Sequence, residues 1–297
     1  MKNKILFLIF LIPALQACLR LDSNLFNPEE KISAYKFDAY TGNRELKDFP
    51  SYYHISDSLI HLFNVESDDK GSKARIWCVY LGNMNSISND TVILYCHGNK
   101  NHIDNYWNRA KLLANVGGKN RFGVLMMDYR GYGLSEGNPT ESGLYADVTA
   151  CMQWLKDKGI KKGNLVVYGY SLGSAPATKL SVQNELLPVS KLILEAPYAS
   201  AQVMTEDAAK LSLPASYFTN VKVNNEEEIK KLKIPLCWFH GDSDEFLGLK
   251  AHGQKVFDAC NGPWKEAHVV PGAVHNNVPL VMGYPAYLKT METFILR

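Results

Sequence analysis

The chain has no apolar run long enough to cross a bilayer, no excess of one charge sign, no low-complexity tract and no internal repeat. Each absence removes a class of protein. A membrane-spanning helix needs about 20 consecutive apolar residues, and Ile5 to Leu15 falls well short. The formal charge is +2, and without Lys2 and Lys4, which lie in a segment expected to be removed, 30 basic residues face 30 acidic ones. A neutral chain with no basic stripe gives no support for nucleic-acid binding. Proline (13) and glycine (21) are present at ordinary levels, which excludes fibrous and disordered classes. What remains is 297 residues with 46% hydrophobic content, enough for one large domain with a substantial core.

The first residues read as an address. Lys2 and Lys4 give a positive start, Ile5 to Leu15 an apolar stretch, and Leu15-Gln16-Ala17-Cys18 its end. That end resembles a bacterial lipobox, which makes residues 1–17 a signal peptide, Cys18 the lipidated N-terminus and residues 18–30 a polar tether. The alternative is an ordinary secretory signal cut after Ala17. Leu19 and Arg20 do not look like an inner-membrane retention signal, so the expected location is the cell envelope, with the outer membrane favoured. Of the other cysteines, Cys78, Cys96 and Cys237 fall in apolar strand-like runs and are read as buried thiols. With Cys151 and Cys260 they make an odd number, and no spacing suggests a metal knuckle.

Ile55 to Glu66 and Lys73 to Leu81 read as a hairpin across Ser67-Asp68-Asp69-Lys70-Gly71. Short apolar strands then follow at Thr91–Cys96, Phe122–Met127, Leu165–Tyr168, Lys191–Leu194, Ile234–Phe239 and His268–Val270. Helical stretches fall at Ile103–Val116, Ser142–Lys158, Ser174–Gln183, Leu249–Cys260 and Val278–Leu296. Strands that are apolar throughout, alternating with amphipathic helices, predict an α/β fold with a mostly parallel sheet covered on both faces. Residues 197–233 break the rhythm and read as a short cap inserted over the sheet.

Ligands of such sheets sit beyond the carboxyl ends of the strands. His97-Gly98-Asn99, Asp128 to Gly133, Ser171, Glu195, Asp242 to Glu245 and His275 all collect there. Gly169-Tyr170-Ser171-Leu172-Gly173 follows an apolar strand and leads into small residues able to start a helix. Alone, such a string arises by chance in roughly one chain of this length in ten. Between a buried strand and a helix it is a nucleophile elbow, with Ser171 on a strained turn and glycines where side chains would collide. A serine hydroxyl needs a base to take its proton and an acid to hold the base. On this kind of sheet the order is serine, acid, histidine. Asp242, Asp244 and Glu245 compete for the acid, and His275 competes with His97, His240 and His268 for the base.

From about Lys73 onward the chain resembles the alpha/beta-hydrolase superfamily. Within it the likeness is to the Bem46-like and serine-aminopeptidase-S33-like branch, which includes animal acyl-protein depalmitoylases. His97-Gly98-Asn99, the run Asp128 to Ser135 with Tyr145-Ala146-Asp147, the elbow and the two tail motifs around Asp244 and His275 carry it. The resemblance implies Ser171 as nucleophile, Asp244 as acid and His275 as base, with the backbone N–H groups of Asn99 and Leu172 holding the oxyanion. Val274 stands where the family often has glycine, and Asn276 and Asn277 where an acidic residue is frequent. Asp128 is read as a loop brace, and Glu195, Tyr198 and Phe246 either line the pocket or simply pack beside it.

The expected activity is hydrolysis of an acyl ester or thioester, lipid-like substrates included, through an acyl-enzyme, with no cofactor and no metal required by the chemistry. A peptidase or amidase is the rival enzyme, with Glu195 the one candidate to bind a free amino terminus. A non-catalytic binding lipoprotein on the same fold is the rival of a different class. Haloalkane dehalogenase and epoxide hydrolase chemistry would need a carboxylate where Ser171 stands.

Overall fold

The computed structural model describes residues 26–28, 31–119, 121–183, 185–209 and 221–297. The proposed signal peptide and Cys18 therefore lie outside the described residues, as does part of the expected cap.

Eight strands form one sheet in the order β1-β2-β4-β3-β5-β6-β7-β8. They are β1 (Ile60–Asp69), β2 (Ser72–Leu81), β3 (Val92–Cys96), β4 (Gly123–Met127), β5 (Leu165–Tyr170), β6 (Lys191–Glu195), β7 (Leu236–Gly241) and β8 (Lys265–Val270). β1 and β2 pair antiparallel, as do β2 and β4, and every later pairing is parallel. Lys70 and Gly71 both take positive φ, 54° and 93°, at the β1–β2 turn. That is the backbone a two-residue hairpin of matching twist requires.

Helices α1 (Ile103–Leu113), α2 (Glu141–Asp157), α3 (Ser174–Gln183), α4 (Ala201–Ala209), α5 (Asn225–Ile229), α6 (Gly253–Ala259), α7 (Val278–Met282) and α8 (Tyr284–Leu296) cover the sheet. Alternate strand residues feed two cores, as period-two strands must. Val92, Leu94 and Cys96 join Val148, Cys151, Ala175 and Val256 on the face of α2, α3 and α6. Ile93 and Tyr95 join Trp107, Leu112, Tyr287 and Phe294 on the face of α1 and α8. Both faces of β3, β4 and β5 are buried, so their sequences are apolar without alternation.

The helical stretch expected over Leu249–Cys260 shortens to α6. At Gly253 a Cβ would lie 2.2 Å from His240 Nδ1, so the chain there is pressed against β7. The stretch Val278–Leu296 is two helices, broken at Gly283 with φ 84°.

The loop after β4 is fixed to α2 by a buried ion pair. Asp147 accepts from Arg130 N at 2.7 Å, Nε at 3.1 Å and Nη2 at 2.8 Å. Tyr129 donates to His97 O at 2.9 Å, and Tyr35 donates to Asp128 Oδ2 at 2.6 Å. The run Asp128 to Ser135 is thus a brace between β3, β4 and α2.

The two elbow glycines are set by contact. A Cβ on Gly173 would fall 2.0 Å from Cys96 O, and one on Gly169 would fall 2.6 Å from the Ala177 Cβ. Gly173→Ala is expected to destabilise the fold by about 3 kcal/mol or more, since backbone must move to admit the methyl. Urea unfolding followed by circular dichroism measures it, with Gly248→Ala, where nothing lies near the new methyl, as control.

Candidate active site

The elbow is built by β5, one helical turn and α3. Ser171 takes φ 51° at the end of β5, a left-handed backbone that a non-glycine residue adopts only under constraint. Close contact between Gly173 and the end of β3 supplies that constraint. Ser174 Oγ donates to Ser171 O at 2.6 Å and itself accepts from Asn225 Nδ2 at 3.0 Å.

Ser171 and His275 are 104 residues apart in sequence, yet the hydroxyl oxygen lies 3.0 Å from His275 Nε2. His275 Nδ1 lies 2.8 Å from Asp244 Oδ2. A carboxylate can only accept, so Nδ1 carries the proton and Nε2 is left to accept from the serine. Asp244 itself is tightly held. Its Oδ1 accepts from the N–H groups of Phe246 at 2.9 Å and Leu247 at 2.8 Å, and His240 Nε2 stands 3.4 Å from Oδ2. Burial alone would push this carboxyl up. Hydrogen bonds from His240, His275 and the Leu247 N–H outweigh it and hold the group well below the usual carboxylate range.

Of the residues in competition, the structure brings Ser171, His275 and Asp244 together. Asp242 instead accepts from Gly272 N at 2.7 Å. His97 is buried with Nε2 3.3 Å from Asp128, and His240 Nε2 bonds Leu247 O at 2.8 Å; both hold loops. His268 stacks on Phe239 with ring centres 5.0 Å apart.

A cavity of about 440 Å³ opens over Ser171. It is lined by Gly98, Asn99, Lys100, Tyr106, Tyr170, Glu245, Phe246, Val274, His275 and Asn276, and by Asn43, Arg44, Glu45 and Asn105 on a further wall. Phe246 is 60% exposed and stands edge-on to the His275 ring at 5.0 Å. Asn99 Oδ1 accepts from Tyr132 OH at 2.8 Å and Asn27 N at 2.9 Å, which ties this side chain in place at the cavity wall. Leu172 is the second residue of the helical turn Ser171–Gly173, where N–H groups have no partner one turn back.

Two expected pocket residues lie elsewhere. Glu195 is fully buried and bonded to Arg109 at 2.5 Å, Tyr287 OH at 2.7 Å and Tyr168 OH at 2.8 Å. It is the last residue of β6 and faces the α1 side of the sheet instead of the cavity. Tyr198 is buried in the core of the opposite face, with its carbonyl accepting from Asn225 Nδ2 at 2.8 Å. The described residues of the inserted segment 197–233 do not close the mouth either. They pack through Ala201, Val223 and Ile229 into the α3 side of the core, and none lines the cavity.

The missing wall comes from the N-terminal side. Asn43 O accepts from Asn105 Nδ2, Glu45 N donates to Asn105 O at 3.0 Å, and Lys36 and Phe37 donate to Asp104 at 2.8 and 2.7 Å. The aromatic density of this stretch (Tyr35, Phe37, Tyr40, Phe49, Tyr52, Tyr53) marks it as packed chain. Nothing local to it signals a pocket wall. A larger and more polar cleft of about 650 Å³ lies under the same stretch, between Asp38, Phe49 and Lys111; none of Ser171, Asp244 and His275 lines it. Among the described residues one group could hold a metal ion, Cys237 with Glu266 and His268. It sits on β7 and β8, none of its members lines the cavity, and burial pushes the thiol well up.

An eight-stranded, mostly parallel sheet with a serine at the β5 elbow and the histidine and carboxylate on later loops defines an alpha/beta hydrolase. A family model described as Serine aminopeptidase, S33 matches residues 87–232. Human alpha/beta hydrolase domain-containing protein 17B is 31% identical over 204 residues, covering 68% of this chain and 65% of that protein. The Caenorhabditis elegans alpha/beta hydrolase domain-containing protein aho-3 is 30% identical over the same length, covering 57% of that protein. The chain thus spans less than two thirds of these curated relatives. Among solved structures, an esterase of Pyrococcus furiosus, Pf2001, superposes with a TM-score of 0.64 at 17% identity, covering 89% of this chain and 98% of that one. Est1E of Butyrivibrio proteoclasticus, solved with ferulic acid, gives 0.60 at 16% identity, covering 78% and 97%. The chain has the alpha/beta-hydrolase fold, and its sequence is similar to the serine aminopeptidase S33 branch.

The lowered Asp244 carboxyl has a consequence for acid stability. Unfolded, it titrates near the ordinary value of about 3.9; folded, it titrates lower. Its contribution is therefore complete above about pH 5 and drains away as the pH falls through the folded value. Asp244→Asn is expected to flatten the loss of stability below pH 5. Thermal midpoints of both proteins from pH 7 down to pH 3 test this, and parallel curves would contradict it.

Proposed function

We propose that this chain is a serine hydrolase that cleaves acyl esters or thioesters through an acyl-enzyme. The observation that carries the reading is the line of contacts from Ser171 Oγ to His275 Nε2 at 3.0 Å and from His275 Nδ1 to Asp244 Oδ2 at 2.8 Å. In the first step the Ser171 oxygen attacks the acyl carbon while His275 takes its proton. The tetrahedral oxyanion faces the N–H groups of Leu172 and Asn99, where one such donor is worth roughly 3 kcal/mol. His275 then protonates the leaving alcohol or thiol. Water, losing a proton to the same imidazole, releases the acid and restores Ser171. Asp244, fixed by two backbone N–H groups, keeps the imidazole in the required tautomer.

Ester or thioester cleavage is placed ahead of amide cleavage because Glu195, the residue the sequence offered to bind a free amino terminus, is tied up in the buried cluster around Arg109; Glu245 on the cavity wall is the anchor an amide substrate would have to use instead. The carbon-rich parts of Tyr106, Tyr170, Phe246 and Val274 suit an acyl chain. The chain also enters the described fold beside this cavity, since Asn27 pairs with Lys100 and donates to Asn99. We propose that Cys18 carries a lipid in the cell envelope. The nine residues from Cys18 to Asn27 then reach at most about 32 Å, which keeps the mouth near a membrane and favours acyl groups presented there.

The test uses p-nitrophenyl acyl esters of increasing chain length beside aminoacyl p-nitroanilides, together with a fluorophosphonate probe. Wild type is expected to take the label and to prefer esters. Ser171→Ala should lose the label and about 10⁴-fold or more in kcat. A preference for the anilides would reverse the ordering, and a wild-type protein that takes no label would favour a binding role.

A further inference from the structure

Behind the cavity lies a charged residue that the proposed chemistry does not use. Arg109, on α1, is fully buried, and five groups converge on its guanidinium. Nε donates to Glu45 Oε2 at 3.0 Å, Nη1 to Glu195 Oε1 at 2.5 Å and to Tyr168 OH at 3.1 Å. Nη2 donates to Asn276 O at 3.3 Å, and the Tyr170 ring lies 4.2 Å from Cζ. Burial would push a guanidinium down; the neighbouring carboxylates, Glu195 first, outweigh it and hold the group charged. Glu195 cannot swing away, because the hydroxyls of Tyr168 and Tyr287 both donate to its second oxygen.

Asn276 is the residue after His275. Tyr170, the residue before Ser171, donates its hydroxyl to His275 O at 3.3 Å, and its ring lies 5.5 Å from the imidazole. The carbonyl of His275 is therefore held from the elbow and that of its successor from α1. Elsewhere the loop is held by two exposed bonds, Gly272 N to Asp242 at 2.7 Å and Val274 N to Asn277 Oδ1 at 2.7 Å, by Ser243 N to Ala273 O at 3.0 Å, and by His275 Nδ1 to Asp244 at 2.8 Å. Of the two bonds to the carbonyls of His275 and Asn276, the one made by a buried charge is that of Arg109, and charge-assisted bonds are the stronger kind.

Resting on the triad proposed above, we propose that Arg109 and Tyr170 are positioning residues. They set His275 against Ser171, and through Glu45 they lock the N-terminal wall of the cavity to the same point. An imidazole that must meet a hydroxyl on one side and a carboxylate on the other has little tolerance, and a misplacement of about 1 Å can cost about 100-fold in rate.

Two variants and an active-site titration test this. Arg109→Lys keeps a charge beside Glu195 but loses the fork that reaches Asn276 O. Tyr170→Phe keeps the ring on the guanidinium and removes only the hydroxyl. Active sites are counted with a fluorophosphonate, and kcat and KM for p-nitrophenyl butyrate are referred to the titrated sites. Per titrated site, kcat should fall about tenfold or more in Arg109→Lys and about threefold in Tyr170→Phe, with KM moving less than about twofold. The double variant should fall by less than the product, since both bonds hold one loop. Fewer titratable sites with unchanged kcat per site would show a purely structural role and overturn the proposal, and so would a change confined to KM. If Arg109→Lys is not recovered folded, Tyr170→Phe decides alone, and full kcat there overturns it. A wild-type protein that takes no label refutes the triad itself, and that failure is visible before any variant is made.

Discussion

The geometry of the site depends on one close approach: the backbone of Gly173 lying against the end of β3. With Cys96 O where a side chain on Gly173 would begin, the turn after β5 cannot relax outward. Ser171 is left at φ 51° with its oxygen presented above the sheet. Strain of this kind costs of order 1–3 kcal/mol and persists only where the surroundings over-determine it. Here they do. β5 is buried on both faces and paired on both sides, and α3 begins at once behind the turn.

The parallel sheet then decides what can stand beside that oxygen. β5, β6, β7 and β8 run the same way, so the loops that follow them open on one edge. The loop after β7 delivers Asp244 and the loop after β8 delivers His275, without any contact between them in sequence. The buried polar network on the α1 side, centred on Arg109 and Glu195, ties the same strands together from beneath. A charged group in that position would be costly if left alone; here each polar end has a partner, so the network adds rigidity where the loops need it.

Much of this was legible in the letters, for identifiable reasons. β3, β4 and β5 are short unbroken apolar runs because both faces are buried, and each ends in glycine or polar residues because the strand ends reach the site. The elbow was readable because contact at Gly169 and Gly173 admits no other residue. Glu195 misled because a carboxylate at a strand end looks the same whether it faces a ligand or a buried guanidinium; only the position of Arg109, 86 residues away, decides. Arg109 sits in an ordinary helical pattern in which nothing local separates it from a solvated charge. The cavity wall formed by Asn43, Arg44 and Glu45 was hidden for a similar reason: its placement follows from main-chain bonds to α1, which carry no pattern in sequence.

That wall has an evolutionary consequence. Asn43 is secured through its carbonyl, and Glu45 through its N–H as well as its side chain, so the path of the segment owes much to groups every amino acid carries. Mutation there can reshape the room offered to an incoming molecule while leaving the strands that carry the reacting groups untouched. Descendants of such a protein could change diet by drift in a peripheral ribbon, with the reactive machinery inherited intact.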